Sequence, residues 1–138
     1  MAHPGRPTHL FHDMNAFISD RLKRVVNCVG DTMTIDHLMP FVGNASELVT
    51  PHAHCVCHNK MCTVERATIH IAGTPCVDWS PMGSNKKGDG CTAVVFMVWV
   101  FMRLVVQEPI IVQENSDRLP VTVLERALGH MYVDRLHL

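Results

Sequence analysis

The sequence lacks a charge imbalance: among 138 residues, 12 Lys and Arg face 13 Asp and Glu, leaving a net charge of −1. A protein that coats nucleic acid through a broad basic surface is thereby excluded, and any phosphate contact has to be local or shared with other chains. Long apolar runs are lacking too. The longest, Ala93 to Met102, is interrupted by Arg103, well short of the ~20 residues that a membrane helix needs. No membrane span is expected, and the run reads as a buried helix. The opening Met1-Ala2-His3-Pro4-Gly5-Arg6-Pro7 has no apolar stretch of the signal-peptide kind, so the six cysteines are expected in a reducing, intracellular setting. What the chain does have is 47% apolar content, enough for one domain to bury a real core.

From Thr8, a possible cap, the residues Leu10, Met14, Phe17, Ile18, Leu22, Val25 and Val29 recur at spacings of three and four and predict a helix ended by Gly30. Asp20, Arg21, Lys23 and Arg24 lie on its polar face as a solvated surface. Asp31 to Thr50, broken by Pro40, Gly43 and Asn44, predicts only short elements and loop. Ala67 to Ala72 is a β-branched, mostly apolar run of the buried parallel-strand type. Thr92 can cap a helix to about Gln107 that is apolar nearly all round and therefore buried. Ile110-Ile111-Val112 predicts a second buried strand leading to Glu114. Pro120 to Leu128 fits a short helix, with Gly129 past its end, and Met131 to His137 alternates as a third strand. The order β-α-β-α-β predicts an α/β fold with a parallel sheet, and right-handed crossovers bring successive strand ends to one edge. The chain thus divides into an N-terminal helix with a Cys/His-rich loop region (1–64) and an α/β half-domain (65–138).

Residues 52 to 62 hold six possible metal ligands, His52, His54, Cys55, Cys57, His58 and Cys62. Structural zinc sites usually join two ligand pairs across a longer spacer, and this stretch has no second pair at such a distance, although Cys28 or His37 could approach in space. The expectation is a reduced Cys/His-bearing loop without metal. His70, inside the first predicted strand, reads as a hydrogen-bonded core residue.

Just past that strand's carboxyl end stand Gly73-Thr74-Pro75-Cys76-Val77-Asp78-Trp79-Ser80-Pro81-Met82-Gly83 and a looser tail to Gly90. Open α/β sheets bind ligands at this edge, and Pro75 stiffens the backbone that presents Cys76. Pro75-Cys76 with Ser80 behind it, followed by Glu114-Asn115 at the end of the next strand, resembles the two catalytic motifs of the C5-cytosine DNA methyltransferase family, at a separation close to the family's. Gly129-His130-Met131-Tyr132 resembles its following glycine-aromatic segment. The likeness covers about residues 65 to 138 and implies a partial Rossmann-like methyltransferase sheet after the N-terminal helical and loop region.

The resemblance assigns Cys76 as the nucleophile that adds to cytosine C6, and Glu114, beside Asn115, as the carboxyl group that faces N3 and the exocyclic amine of the base. The thiolate is the reactive form of the one, and a buried carboxyl that keeps its proton would best serve the other. It further implies S-adenosylmethionine as methyl donor, DNA as partner, a nuclear location, and a flipped-out target base enclosed by the Gly83 to Gly90 loop. Pro75 and Ser80 would line the substrate side, with Lys86 and Lys87 on phosphate. The family's glutamine after the cysteine is Val77 here, and the valine usual after Glu-Asn is Ser116. Its Phe-x-Gly-x-Gly cofactor turn does not occur among residues 1 to 60, and its later Gln-x-Arg-x-Arg segment and target-recognition region are missing. The expectation is therefore a catalytic fragment completed by other protein chains, the alternative being a non-catalytic structural or accessory subunit of a larger assembly.

Overall fold

Residues 8–74, 92–115, 119 and 121–129 are described by a computed structural model of the chain, in which helices and two small sheets alternate. The expected first helix loses its start and is divided in two: residues 8–13, Thr8 and Leu10 among them, are not helical, and Asp13 rather than Thr8 caps the first turn. A 3-10 turn spans Met14–Phe17, and α1 begins only at Asp20, running to Val29. The break has a long-range cause: Ile18 pairs with Val49 in an isolated antiparallel bridge, which holds the backbone extended there. Ser19 then caps α1, its Oγ accepting from the Leu22 N–H at 3.3 Å while its hydroxyl donates to the Glu47 carbonyl at 2.8 Å. Gly30, at φ 68°, ends the helix as read from the sequence. Asp20, Arg21, Lys23 and Arg24 are exposed. Short helices follow, α2 (Ile35–Leu38), a 3-10 segment (Met39–Asn44) and α3 (Ala45–Leu48).

The Cys/His-rich stretch is not a loop but an antiparallel hairpin, β1 (His52–Cys55) paired with β2 (Lys60–Thr63). Ala53 and Cys55 point inward while His52 and His54 face solvent, the alternation that a strand with one buried face requires. Beyond it, β3 (Ile69–Gly73) pairs in parallel with β4 (Ile110–Glu114), Ile69 opposite Ile110 and Gly73 opposite Glu114. The parallel pairing and the connecting helix α4 (Ala93–Val106) agree with the sequence reading. Burial of these strands does not. Ile69, Ile71, Ile110 and Val112 are exposed, because α4 lies on one face only and no other described residue covers the second. The expected third strand, 131–137, lies outside the described residues, so the sheet that can be described is one parallel pair.

Buried on nearly every side, α4 is the core of the molecule. Phe96, Met97, Val98, Val100, Phe101 and Met102 are each at most 1% exposed and join Leu22, Leu38 and Leu48 from the N-terminal helices in one apolar cluster. Such burial contributes roughly 1.5–3 kcal/mol for each large side chain. Left-handed Gln107, at φ 56°, stops the helix and turns the chain toward β4. The last helix, α5 (Val121–Leu128), ends at Gly129, where a Cβ would stand 2.2 Å from the Glu125 carbonyl oxygen, so only glycine fits without a shift. Among the described residues no helix is long and apolar enough to cross a membrane.

Candidate functional site

Two groups of side chains come together in ways that sequence distance hides. The first is at the carboxyl edge of the β3–β4 pair. Because Gly73 is opposite Glu114, the carboxylate leans across the end of β3, and a Cβ on Gly73 would stand 3.4 Å from Glu114 Oε2. Asn115 Nδ2 donates to the Thr74 carbonyl at 3.2 Å and to Thr74 Oγ1 at 2.8 Å, and Gln113 Nε2 donates to the same Oγ1 at 2.6 Å. The Gln113-Glu114-Asn115 segment is thus tied by side-chain amides to the residue that leads into Pro75-Cys76. Glu114 itself is exposed. Pro75, Cys76, Ser80, Lys86 and Lys87 lie outside the described residues, as does the Gly83 to Gly90 loop.

A further polar group stands under the β3–β4 pair, toward the amino end of β4. Trp99 Nε1 donates to His70 Nε2 at 3.1 Å, so the lone pair is on Nε2 and the ring proton on Nδ1, which faces Glu108 Oε1 at 3.8 Å. Glu108 also pairs with Arg103 at the end of α4, and the two are 2% and 3% exposed. Burial lowers the His70 pKa, and the nearby Arg103 guanidinium adds to the effect. His70 is therefore neutral and hydrogen-bonded, as the sequence suggested, but half-buried at the margin of the core rather than inside it. The paired Arg103, noted from the sequence only as the end of an apolar run, and Glu108, which carried no sequence signal, fix the joint between α4 and β4.

The second group gathers around the hairpin. One ligand atom from each of His9, Cys55, His58 and Cys62 lies within 4.8 Å of all the others. Of the six candidates in the stretch, three belong to this cluster, whereas His52 bonds Thr63 across the hairpin at 2.9 Å and His54 and Cys57 are exposed. The fourth member, His9, comes from a distant segment that runs alongside β1: the Val56 N–H donates to the Leu10 carbonyl at 2.7 Å, and the Leu10 N–H to Cys55 Sγ at 3.5 Å. No spacing rule pointed to His9. Neither Cys28 nor His37, the partners considered from the sequence, takes part.

Burial pushes the Cys55 thiol up, but the Leu10 N–H and the neighbouring His9 and His58 rings outweigh it and bring the thiol down to about 5. Burial, then the neighbouring Cys55 thiolate, pushes Cys62 up. The thiolate in turn holds the His9 pKa above its usual value.

No protein-family model, curated protein or solved structure matches the chain.

Proposed function

We propose that the chain supplies the nucleophile and carboxyl half of a cytosine-C5 methyl-transfer centre, within a Rossmann-like sheet of which β3–β4 is one pair. The observation that carries this reading is the bonding of Asn115 to Thr74 at the Gly73–Glu114 register. It joins the Glu-Asn segment to the lead-in of the Pro-Cys segment, two stretches whose cooperation the chemistry requires. Cys76 follows Thr74 by two residues, a tether of at most about 7 Å.

In this reading the Cys76 thiolate adds to C6 of a flipped-out cytosine and forms the S–C6 bond. The C5=C6 electron pair moves to C4=C5, and the C4=N3 pair moves to N3, which takes a proton from water beside the exposed Glu114 carboxyl group. C5 is then enamine-like and nucleophilic. Asn115 and Gln113 position the backbone on both sides of the gap. When bound, S-adenosylmethionine would supply the methyl group. Among the described residues no glycine-rich turn joins a strand to a helix, so none fits this cofactor, and no step through it is derived. Another chain or segment would hold it. The absence of a Phe-x-Gly-x-Gly turn from residues 1 to 60 favours a second reading, a methyltransferase-like accessory subunit without activity of its own.

The test uses the addition step alone. A DNA oligonucleotide with 5-azacytosine, whose ring is more electrophilic at C6, is incubated with the chain, and adducts are mapped by peptide mass. The first reading predicts an adduct at Cys76 that Glu114→Gln slows more than tenfold, but no methyl transfer by the chain alone. The accessory reading predicts no adduct. Reaction at the exposed Cys28 and Cys57 as fast as at Cys76 would contradict a built nucleophile.

A further inference from the structure

We propose that His9, Cys55, His58 and Cys62 form a closed tetrahedral zinc site that fastens the N-terminal segment to the β1–β2 hairpin. The donor set is two thiolates and two imidazoles, one of the established ligand sets of structural zinc centres. With Zn–S near 2.3 Å and Zn–N near 2.0–2.1 Å, tetrahedral ligand atoms stand roughly 3.3–3.8 Å apart. His58 Nδ1 lies 3.5 Å from both Cys55 Sγ and Cys62 Sγ, already at that spacing. All the ligand atoms lie within 4.8 Å of one another, so closure around an ion needs side-chain adjustments of about an ångström, not backbone rebuilding.

The surroundings fit the same ion. His9 turns Nε2 toward the Glu65 carboxylate, 3.6 Å away, while its Nδ1 is buried and makes no hydrogen bond. A ligating histidine that offers its other nitrogen to a carboxylate is the usual outer-shell pattern of zinc proteins. Leu10 N–H reaches Cys55 Sγ and shares the sulfur's charge in the way that orients a thiolate ligand. Cys55 is fully buried and Cys62 is 9% exposed, and four protein donors leave no open coordination position. The site is therefore structural, not catalytic. A hard cation such as magnesium or calcium, which takes oxygen ligands, does not suit it.

The sequence expectation of no metal rested on the lack of a second ligand pair near residues 52 to 62; folding supplies the missing ligand from residue 9. The inference stands apart from the methyl-transfer reading. Its consequence lies in stability: without the ion, the segment around Leu10 keeps the contacts of Leu10, His9 against Glu65 and His58, and Phe11 against Phe17, ring centroids 5.2 Å apart, but loses its strongest tie.

Metal content of the reduced chain, purified without added metal, tests the inference together with cobalt titration after chelation. Close to one equivalent of zinc per chain is expected, and cobalt should give the intense visible bands and thiolate charge-transfer absorption of a tetrahedral S2N2 centre. His9→Ala and Cys62→Ser should each lower metal affinity by a factor of ten or more, whereas Cys57→Ser, next to the cluster but outside it, should leave it unchanged. Should a variant fail to fold, the cobalt spectrum of the unaltered chain decides. Reduced, folded protein that takes up neither metal would overturn the proposal, as would equal loss in Cys57→Ser and Cys62→Ser.

Discussion

Replacing Glu108 by Gln is the substitution whose cost follows most directly from the packing. The Glu108 carboxylate is 2% exposed and its partner Arg103 3% exposed. Arg103 Nε and Glu108 Oε2 make no hydrogen bond, so the pair already holds its charges with incomplete satisfaction. Glutamine keeps the shape and leaves the guanidinium one acceptor, but removes the charge that balances it. Breaking a buried pair from one side costs about 3–5 kcal/mol, and the retained acceptor argues for the lower end, about 3 kcal/mol. At about 3–5 °C per kcal/mol for a chain of this size, Tm should fall by about 10–15 °C. Removing both charges, as in Arg103→Leu with Glu108→Leu, should cost much less than the sum of the single changes, because no unpaired charge remains. Urea unfolding followed by far-UV circular dichroism, at constant zinc and with m compared between variants, gives each value. A loss below about 1 kcal/mol for Glu108→Gln would refute the reasoning, as would additive single and double changes, since either would mean that water reaches the pair.

Three further outcomes follow. His70 resists protonation in the fold, so as pH falls below about 6.5 the unfolded chain takes up a proton that the folded one does not, and stability declines. His70→Gln, which can still accept from Trp99, should flatten the slope of Tm against pH between 7 and 5, and an unchanged slope would exclude this role. Ser19→Ala removes the α1 cap and the bond to Glu47 and should cost about 1–2 kcal/mol in chemical denaturation; a change within about 0.5 kcal/mol would count against the cap. Asn115→Leu should slow the 5-azacytosine adduct at Cys76 severalfold while Glu114 is intact, and an unaltered rate would remove Asn115 from the positioning of that edge.

What could be read from the sequence was whatever local periodicity dictates. The helix α4 announces itself because its apolar residues surround the axis, and α5 because Pro120 and Gly129 bracket it. The β3–β4 pair was legible because a buried helix between two β-branched runs can only be a crossover. Long-range effects were not legible. Ile18 looked like a continuation of a helical stripe, and only its bridge to Val49 breaks that stripe. The alternation of Ala53 and Cys55 inward against His52 and His54 outward was present in the residues, but histidine and cysteine carry no clear hydrophobic sign, so the hairpin read as loop. Ile71 and Val112 read as buried on both faces, since an apolar strand does not say which of its faces another element will cover. His9 gave no signal, because its relation to Cys55 exists only after the Leu10 segment lies beside β1.

The proposed functional edge requires residues 76 and 114 to face each other across a gap the width of a pyrimidine. Glu114→Cys, in a chain with Cys28, Cys57 and Cys91 replaced by Ser, permits the direct measurement: reaction with a bis-electrophile only as long as a nucleobase is wide, then peptide mass mapping. The parallel register and the Asn115–Thr74 bonds predict rapid joining of the thiol at position 76 to that at position 114, and loss of the joined peptide when Cys76 is changed to Ser. Mono-modification of both thiols without a link between them would contradict the shared edge, and with it the methyl-transfer reading.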